Sequence, residues 1–435
     1  MVDQKRNNTL PIVMMFALFA MIAFVTNLCS PMGVIVKNQF GASNFAAALG
    51  NAANFIAYAV MGIPAGLLLK KIGYKKTALL AIVVGFVGVL LQYLSGKASM
   101  DSAFAIYLTG AFIAGFCMCM LNTVVNPMLN TLGGGGNKGN QLIQFGGVLN
   151  SFSATFVTIF VGALVGDATK AQISDATPAL FIALGIFALA FIVLAIVNIP
   201  EPQTNQKVEV TTEKDPYSAF SFRHFKFGIL AIFFYMGIEV GVPYYVNQYL
   251  TATPDSTTAG IGIDAGIAGS IVGVYWLLML VGRLVGGMIG SKVSSKAQIT
   301  FVSTLCIIFV LIGMFAPADS YVTIFGFNGS EGTFSTAQVP VGVLFLILVG
   351  LCTSVMWGGI FNLAVEGLGK YTEFAAGMFM VMVCGGGILV PIQGWVADIC
   401  SSFMTSYIVI LACAAYILFF ALAGSKNVNK DIPTA

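Results

Sequence analysis

The chain has 435 residues, of which 58% are hydrophobic and 9% are charged, and its mean hydropathy is +0.92. This composition is typical of a protein with many membrane spans and excludes an ordinary water-soluble domain. The formal net charge is a mild +3, and Lys and Arg fall in short clusters between apolar runs. We therefore expect no basic, aromatic-studded face and no nucleic-acid partner.

Apolar stretches near the ~20 residues that a helix needs to cross the hydrocarbon core recur along the whole chain. The first follows Lys5 and Arg6 and exceeds the ~7 to 15 residues of a signal-peptide core, so we expect it to be a span. Twelve stretches are predicted as membrane spans, at residues 10–36, 45–69, 77–96, 104–132, 140–166, 178–199, 226–250, 266–290, 297–316, 340–365, 372–397 and 402–424.

One connection in the middle of the chain is both long and polar. It divides the predicted spans six and six. The sequence therefore predicts an N-terminal six-helix half at residues 1–199, a cytoplasmic linker at residues 200–225 and a C-terminal six-helix half at residues 226–435.

Lys and Arg alternate between the connections as they should if every predicted span is real. Sixteen of the twenty lie at the two termini or in the even-numbered connections. This bias predicts that both termini face the cytoplasm.

Internal repetition indicates that the two halves are related. Two glycine-rich segments match at a spacing of 220 positions, with equivalent residues at Gly62, Gly66 and Lys76, then Gly282, Gly286 and Lys296. Asn27-x-x-x-Pro31 in the first span parallels Glu239-x-x-x-Pro243 in the seventh. Six-span repeats around a central site are the plan of many secondary transporters, in which the halves rock by alternating access.

The seventh predicted span carries one carboxylate, Glu239, near its middle. An ionisable group at the bilayer centre costs ~2.5 to 3.5 kcal/mol on insertion scales, so an interaction must offset that cost. A protonated or hydrogen-bonded Glu that only locks helices together is one alternative. A ligand for the substrate or a coupling cation is the other, and it is favoured because Tyr and amide side chains make this span polar on several faces.

Asn and Gln are dense in the predicted spans, and an amide offers both a donor and an acceptor to a ligand with many hydroxyls. Aromatic faces suit the apolar face of a sugar ring. The candidate substrate contacts are Asn27, Asn122, Asn126, Asn150, Tyr245, Asn247, Trp357, Asn362 and Gln393. Interhelical hydrogen bonding, at ~0.6 kcal/mol per contact, is the alternative and explains about half of the amides.

For several other residues the sequence predicts a structural role or no chemical role. Arg283, near the inner end of the eighth span, is expected to act as a gate or loop anchor, and Gly385, Gly386 and Gly387 are expected to let the eleventh span bend. The eight cysteines form no C-x-x-C pair, and His224 is the single histidine. We therefore expect no metal site, no cofactor and no enzyme chemistry, with H⁺ or Na⁺ as the candidate coupling ion.

These motifs resemble the fucose permease family of the major facilitator superfamily, over nearly the whole chain. The strongest segments are IPAGLLLKKIGYK, LNTVVNPMLNTLG and IFNLAVEGLGKYTEFAAGMFMV. In the superfamily's loop motif Gly66, Lys71 and Gly73 fit, while Lys70 stands where Asp is usual. The resemblance implies an all-α integral membrane protein with the major facilitator fold, twelve transmembrane helices in two pseudo-symmetric six-helix halves.

The resemblance also implies a site. Asn150 and Trp357 are expected to contact sugar, with Asn27 and Asn126 in the same cavity. The family's two essential carboxylates fall on positions that cannot carry a proton, Ser30 and Asn122. Glu239 is the intramembrane carboxylate that remains for cation coupling.

The expected function is import of a monosaccharide, a hexose or deoxyhexose, coupled to protons or sodium. A sugar uniporter, an exporter of amphiphilic compounds, and a membrane receptor or scaffold are the alternatives. The expected partners are a small neutral sugar and membrane lipid, and the expected form is a monomer in a bacterial inner membrane.

Overall fold

The computed structural model describes residues 9–133, 136–197, 199, 217–289, 292–317, 319–429 and 431–433. Within these residues, twelve helices are long and apolar enough to cross a membrane, so the predicted number of spans is confirmed. Most of the predicted linker, residues 200–216, lies outside the described residues.

The spans are numbered 1 to 12 in chain order: Thr9–Phe40, Leu49–Ile72, Tyr74–Ser95, Met100–Leu129, Phe145–Val165, Ile173–Ile196, Arg223–Thr251, Ala265–Gly286, Ser295–Phe315, Val341–Val365, Gly369–Cys400 and Phe403–Gly424. Because consecutive spans run in opposite directions, span 1 begins and span 12 ends on the same side. We call that side the terminal end and the other the distal end.

Large apolar side chains cover the outside of the bundle. Leu189, Ile196 and Phe315 are 63%, 77% and 75% exposed, on spans 6 and 9. A water-soluble protein rarely exposes contiguous apolar surface on this scale, whereas a bilayer solvates it. Their exposure therefore fits a lipid-facing surface.

Spans 1, 10 and 11 are interrupted towards the middle of their length. Span 1 consists of helices Thr9–Asn27 and Cys29–Phe40, span 10 of Val341–Thr353 and Met356–Val365, and the main helices of span 11 are Thr372–Met382 and Gly385–Cys400. Non-helical backbone is tolerated at membrane depth where it is buried in protein or lines a polar cavity. The breaks therefore point to the interior of the bundle as the polar region.

The first six and the last six spans meet mainly through span 5 with span 8 and span 2 with span 11. Close packing in the second pair requires glycine. A side chain at Gly387 would place its Cβ 2.8 Å from the backbone oxygen of Ala52, and one at Gly385 would collide with the backbone of Phe233. Span 11 is thus held against spans 2 and 7 at its break.

The two glycines of the loop motif differ in their structural need. Gly73 has φ 83° at the turn between spans 2 and 3, a conformation that side chains with a Cβ rarely adopt. A Cβ at Gly66 would meet no atom within 4 Å, so packing gives no reason for glycine there.

A two-stranded antiparallel hairpin lies between spans 9 and 10 at the distal end, where the sequence analysis predicted no element. Its strands are β1, Tyr321–Asn328, and β2, Thr333–Pro340. Asp264 holds the hairpin turn by accepting hydrogen bonds from the backbone of Gly329 at 2.7 Å and from the backbone and hydroxyl of Ser330. The hairpin is thereby fixed to the start of span 8.

Candidate functional site

A cavity of about 420 Å³ lies between the first six and the last six spans. Spans 1, 2, 4 and 5 line one side, and spans 7 to 11 line the other. The lining extends to Ser295 and Gln298 at the start of span 9, which places the cavity's approach on the terminal side. The helix breaks of spans 1, 10 and 11 also lie at this cavity, through Cys29, Val355 and Val383.

The distal end of the cavity is closed by hydrogen bonds between the two sets of spans. Asn44, in the segment before span 2, donates its side-chain amide to Asp398 of span 11 at 2.7 Å and to Thr258 at 2.9 Å. Lys37 donates to the side-chain oxygen of Asn44 at 2.7 Å. Because Asn44 and Lys37 belong to the first half and Asp398 and Thr258 to the second, these bonds hold the halves together on this side.

Six of the nine predicted substrate contacts line the cavity: Asn27, Asn122, Asn126, Asn150, Trp357 and Asn362. Spans 1, 4 and 5 supply the first four, and span 10 supplies Trp357 and Asn362. The indole ring of Trp357 lies 6.0 Å from the ring of Tyr235, so the cavity contains an aromatic wall beside its amides.

The asparagine amides are oriented alike. The Nδ2 groups of Asn27 and Asn126 donate to Ala23 and Asn122 backbone oxygens at 2.9 and 3.0 Å, and that of Asn150 reaches the Phe19 oxygen at 3.4 Å. Among the described residues these bonds use the nitrogens and leave the side-chain oxygens without a protein donor. The three amides therefore offer acceptors to the cavity, and a hydroxyl is a matching donor.

Glu239 lies in the cavity together with Arg283. Their side chains are 14% and 15% exposed, and the distance from Arg283 Nη2 to Glu239 Oε1 is 3.7 Å. Among the described lining residues these two are the charged side chains, so the wall carries one opposite-charge pair and is otherwise neutral. An unpaired charge at this depth is costly, and the pairing offsets that cost.

Arg283 contacts the first six spans as well. Its Nη1 donates to the backbone oxygen of Gly147 at 2.7 Å and to Ser151 Oγ at 2.9 Å, both on span 5. The sequence placed Arg283 near the inner end of span 8, and the structure adds that its long side chain reaches back to Glu239. Its gating role stays a prediction.

Three predicted substrate contacts, Tyr245, Asn247 and Gln393, are not among the residues that line the cavity in this structure. Tyr245 is buried and donates to the Val390 oxygen at 2.9 Å. Asn247 is 4% exposed and reaches Ser30 Oγ at 3.5 Å, and Gln393 is fully buried near Ser406. These side chains lie beyond the cavity towards the distal end or on faces that pack against spans 11 and 12.

Several lining residues were not among the predicted contacts. Tyr58 accepts a hydrogen bond from Asn122 Nδ2 at 3.0 Å, and Trp276, Gln298 and Ser354 also line the cavity. Tyr235 lies one helical turn before Glu239 and lines the cavity with it. The i, i+4 spacing from Glu239 was the signal that identifies Tyr235 as a residue on the same face.

The described residues contain no group of three or more His, Cys, Asp and Glu side chains that could hold a metal ion. The cysteines at 29, 117, 119, 306, 352, 384 and 413 are buried, and Cys400 is exposed.

Comparison with known proteins identifies the family. A sequence model of the Major Facilitator Superfamily matches residues 14–391. The chain is 30% identical over 440 residues to a putative glucose/galactose transporter of Helicobacter pylori, covering 98% of this chain and 99% of that protein. It is 26% identical over 428 residues to a glucose/galactose transporter of Brucella abortus, covering 98% and 96%.

The fold is similar to that of a solved transporter. The structure of the Escherichia coli fucose:proton symporter FucP matches with a TM-score of 0.65 at 21% identity, over 97% of this chain and 100% of that one. The predicted twelve-span fold is thus confirmed, and the family match covers most of the chain. The chain belongs to the major facilitator superfamily.

Proposed function

We propose that this chain imports a neutral monosaccharide, a hexose or deoxyhexose, by alternating access, coupled to a proton or a sodium ion through Glu239. One observation carries the proposal. A cavity of about 420 Å³ between the two sets of spans is lined by amides and aromatic rings and by one ion pair. This volume lies within the ~300 to 1,000 Å³ of small-molecule sites.

The chemistry of the lining favours a polyol. Amide oxygens of Asn27, Asn126 and Asn150 can accept hydrogen bonds from hydroxyls, and the ring of Trp357 can pack against the apolar face of a sugar. Because the positive charge of Arg283 is already balanced by Glu239, the described residues of the lining offer no uncompensated cation to an anionic substrate. Amphiphilic compounds would leave these amides without partners, which costs free energy.

The names of the relatives support the same substrate class. Of two relatives that match 98% of this chain, one is named a putative glucose/galactose transporter and the other a glucose/galactose transporter, and one of the solved structures that match is a fucose:proton symporter. Hexoses and deoxyhexoses share the ring and most of the hydroxyls that the cavity would bind.

The terminal end is proposed to face the cytoplasm of a bacterium, with the chain a monomer in the inner membrane. Sixteen of the twenty Lys and Arg residues lie at the termini and the connections on this side, as the positive-inside rule requires. With the distal end closed by Asn44 and Asp398, the cavity then opens inward in this structure.

The test is uptake of labelled glucose, galactose and fucose into proteoliposomes, with and without imposed gradients of protons or sodium. Accumulation that requires one gradient supports symport and identifies the ion. If the labelled sugar only equilibrates across the membrane, and neither a proton gradient nor a sodium gradient changes the result, the protein is a uniporter. Failure of all three sugars to move, with transport of a lipophilic dye or with no transport at all, would contradict the proposal in favour of an exporter or a receptor.

A further inference from the structure

The guanidinium of Arg283 contacts residues of both the first six and the last six spans. One nitrogen, Nη1, makes two short hydrogen bonds to span 5, to Gly147 at 2.7 Å and to Ser151 at 2.9 Å. The other, Nη2, faces Glu239 of span 7 at 3.7 Å. A charge-assisted N–H···O⁻ bond is typically ~2.7 to 2.9 Å long, so the contact with Glu239 is an ion pair without a short hydrogen bond.

These two sets of contacts compete. The guanidinium is planar and its nitrogens keep a fixed fork, so the group moves as one body, and a shift of that body towards span 7 draws Nη1 away from Gly147 and Ser151 of span 5. An ionised Glu239 attracts the guanidinium towards span 7. A neutral Glu239 exerts no such attraction and leaves the guanidinium to span 5.

We propose that Arg283 transmits the charge state of Glu239 to span 5, so that neutralising Glu239 strengthens the contact between spans 5 and 8. The inference rests on the proposed function in taking Glu239 as the site of the coupling cation. Arg283 is then a positioning residue, and its link between the two halves is the route by which cation binding influences their relative position.

The other titratable groups near Glu239 do not supply a competing charge. Tyr235 of span 7 lines the cavity one helical turn before Glu239, and Tyr275 of span 8 donates to the backbone oxygen of Glu239 at 3.2 Å. Cys29 and Tyr58 line the cavity from spans 1 and 2, while the described lining of spans 9, 10 and 11 contributes no charged side chain. Hydroxyls and thiols are uncharged near neutral pH, so the charge that responds to Glu239 is that of Arg283.

The proton balance is simple. Glu239 takes a proton from hydronium, which becomes water, so the carboxyl is neutral while Arg283 keeps its charge and its bonds to span 5. Release of that proton to water restores the carboxylate and its attraction on Nη2. By linkage, an interaction that protonation strengthens must favour protonation by the same factor. Loss of the span 5 bonds should therefore make Glu239 harder to protonate.

The first test is the pH dependence of sugar uptake in proteoliposomes. Ser151→Ala removes one acceptor of Arg283, whereas Ser153→Ala removes a hydroxyl of the same helix that bonds to Ala20 within the first six spans. We expect Ser151→Ala to move the midpoint of the pH profile to lower pH by up to roughly one unit, the limit that corresponds to full loss of one charged hydrogen bond when Glu239 ionises. We expect Ser153→Ala to leave the midpoint unchanged. Equal midpoints in the two variants would overturn the inference.

The second test needs no substrate. Spin labels are placed at Phe145, which begins span 5, and at Met288, which lies just past the terminal end of span 8 on the same helix. They report the distance between these helices in a Cys400→Ser background, because Cys400 is the exposed cysteine. The distance should shorten as pH falls in the parent protein and in Ser153→Ala, and should not respond to pH in Glu239→Gln. If the distance between the labels still responds to pH in Glu239→Gln, the inference is overturned, whether or not the protein transports sugar. If the distance responds as expected but no sugar is transported, only the proposed function is contradicted.

Discussion

Asp398 accepts both the backbone amide and the side-chain amide of Asn44, at 3.0 and 2.7 Å. Its second carboxylate oxygen accepts the backbone amide of Phe45 at 2.9 Å. One side chain of span 11 thus satisfies three donors in the segment that precedes span 2. Hydrogen bonds to a charged acceptor are about twice as strong as neutral ones, so this contact is a main closure of the distal end.

Replacing Asp398 with Asn should weaken that closure. The substitution removes the charge and gives one of the two acceptor positions to an NH₂ group, which faces the donors of Asn44 or Phe45. A loss of ~1.5 to 3 kcal/mol is expected for a hydrogen bond to a charged group, which shifts the population towards a distally open form by about tenfold or more. The measurement is the rate at which an impermeant thiol reagent, added from the distal side, labels Cys29 in a Cys400→Ser background, since Cys29 lines the cavity and is buried here.

The matched control is Asp101→Asn. Asp101 is an exposed carboxylate in the first turn of span 4, also at the distal end. If both variants label Cys29 at the parent rate, Asp398 does not hold the distal end closed.

Spans 5 and 8 provide a second closure, made by backbone contact. A Cβ on Gly269 would collide with the backbone oxygen of Thr158, and one on Gly162 would collide with that of Ala265. Gly269→Leu should therefore force the distal parts of these spans apart and accelerate distal labelling of Cys29. Backbone atoms cannot move aside as the end of a flexible side chain can.

Gly185→Leu is the control for this substitution, because a Cβ on Gly185 of span 6 would meet no atom within 4 Å. If Cys29 is labelled as slowly in Gly269→Leu as in Gly185→Leu, the contact between spans 5 and 8 at Gly269 does not keep the distal end closed.

The asparagine oxygens predict an effect on sugar affinity. Asn126→Ala removes an acceptor from the cavity wall while the helix keeps its backbone bonds. Loss of one hydrogen bond to a bound hydroxyl costs ~0.5 to 1.5 kcal/mol, so the KM for counterflow should rise about 2- to 10-fold with little change in maximal rate. Asn38→Ala changes an exposed asparagine outside the cavity and should leave KM at the parent value. A KM that is the same in both variants would remove Asn126 from the site.

The sequence predicted the number of spans and the position of Glu239 because both follow from simple physical limits. A helix needs a fixed apolar length to cross the bilayer, and a carboxylate is too costly inside it to go unpartnered. Glu239 indeed lies in the cavity with a counter-ion. Such limits apply to each span by itself and need no knowledge of its neighbours.

The faces of the helices and the partners of long side chains could not be predicted in the same way. Tyr245, Asn247 and Gln393 are residue types that suit a polar site, but the direction in which each side chain points depends on how the spans pack against one another. The side chain of Arg283 reaches from the end of span 8 to Glu239. The hairpin did have a local signal, because YVTIFGFN is rich in β-branched and aromatic residues, but it is not one of the long apolar stretches by which membrane spans are predicted.

The hairpin should detach in acid. Partial burial acts to raise the pKa of the Asp264 carboxyl, but its hydrogen bonds from Ser330, Gly329 and Gly266 outweigh burial and hold the pKa below its ordinary value of 3.8. Because the pKa of the attached form is lowered, the stabilisation is complete above 3.8 and is lost as pH falls through the lowered value. Hydrogen exchange of the turn amides, corrected for intrinsic rates, should be constant at pH values well above 3.8 and should accelerate as pH falls below 3.8 through the lowered pKa.

Asp264→Asn should give fast exchange of the same turn amides at every pH. Asp255→Asn, which changes an exposed carboxylate in the connection before span 8, should exchange as the parent does. Protection of the turn that persists in Asp264→Asn would show that strand pairing alone holds the hairpin in place.

Glu239→Gln separates coupling from translocation. The amide keeps the size of the carboxylate and can still hydrogen-bond, but it neither ionises nor binds a cation by charge, so the ion gradient loses its point of action. Concentrative uptake of labelled sugar into proteoliposomes should fall to the equilibrium level, whereas counterflow exchange, which needs only binding and movement, should continue. The control is Glu331→Gln, which changes an exposed carboxylate in the turn of the hairpin. This variant should retain concentrative uptake if the loss in Glu239→Gln is specific to the carboxylate in the cavity. Unchanged accumulation in Glu239→Gln would remove Glu239 from coupling. Loss of counterflow as well would indicate that Glu239 binds a hydroxyl of the sugar, as in the uniporter alternative, because counterflow requires only sugar binding and movement.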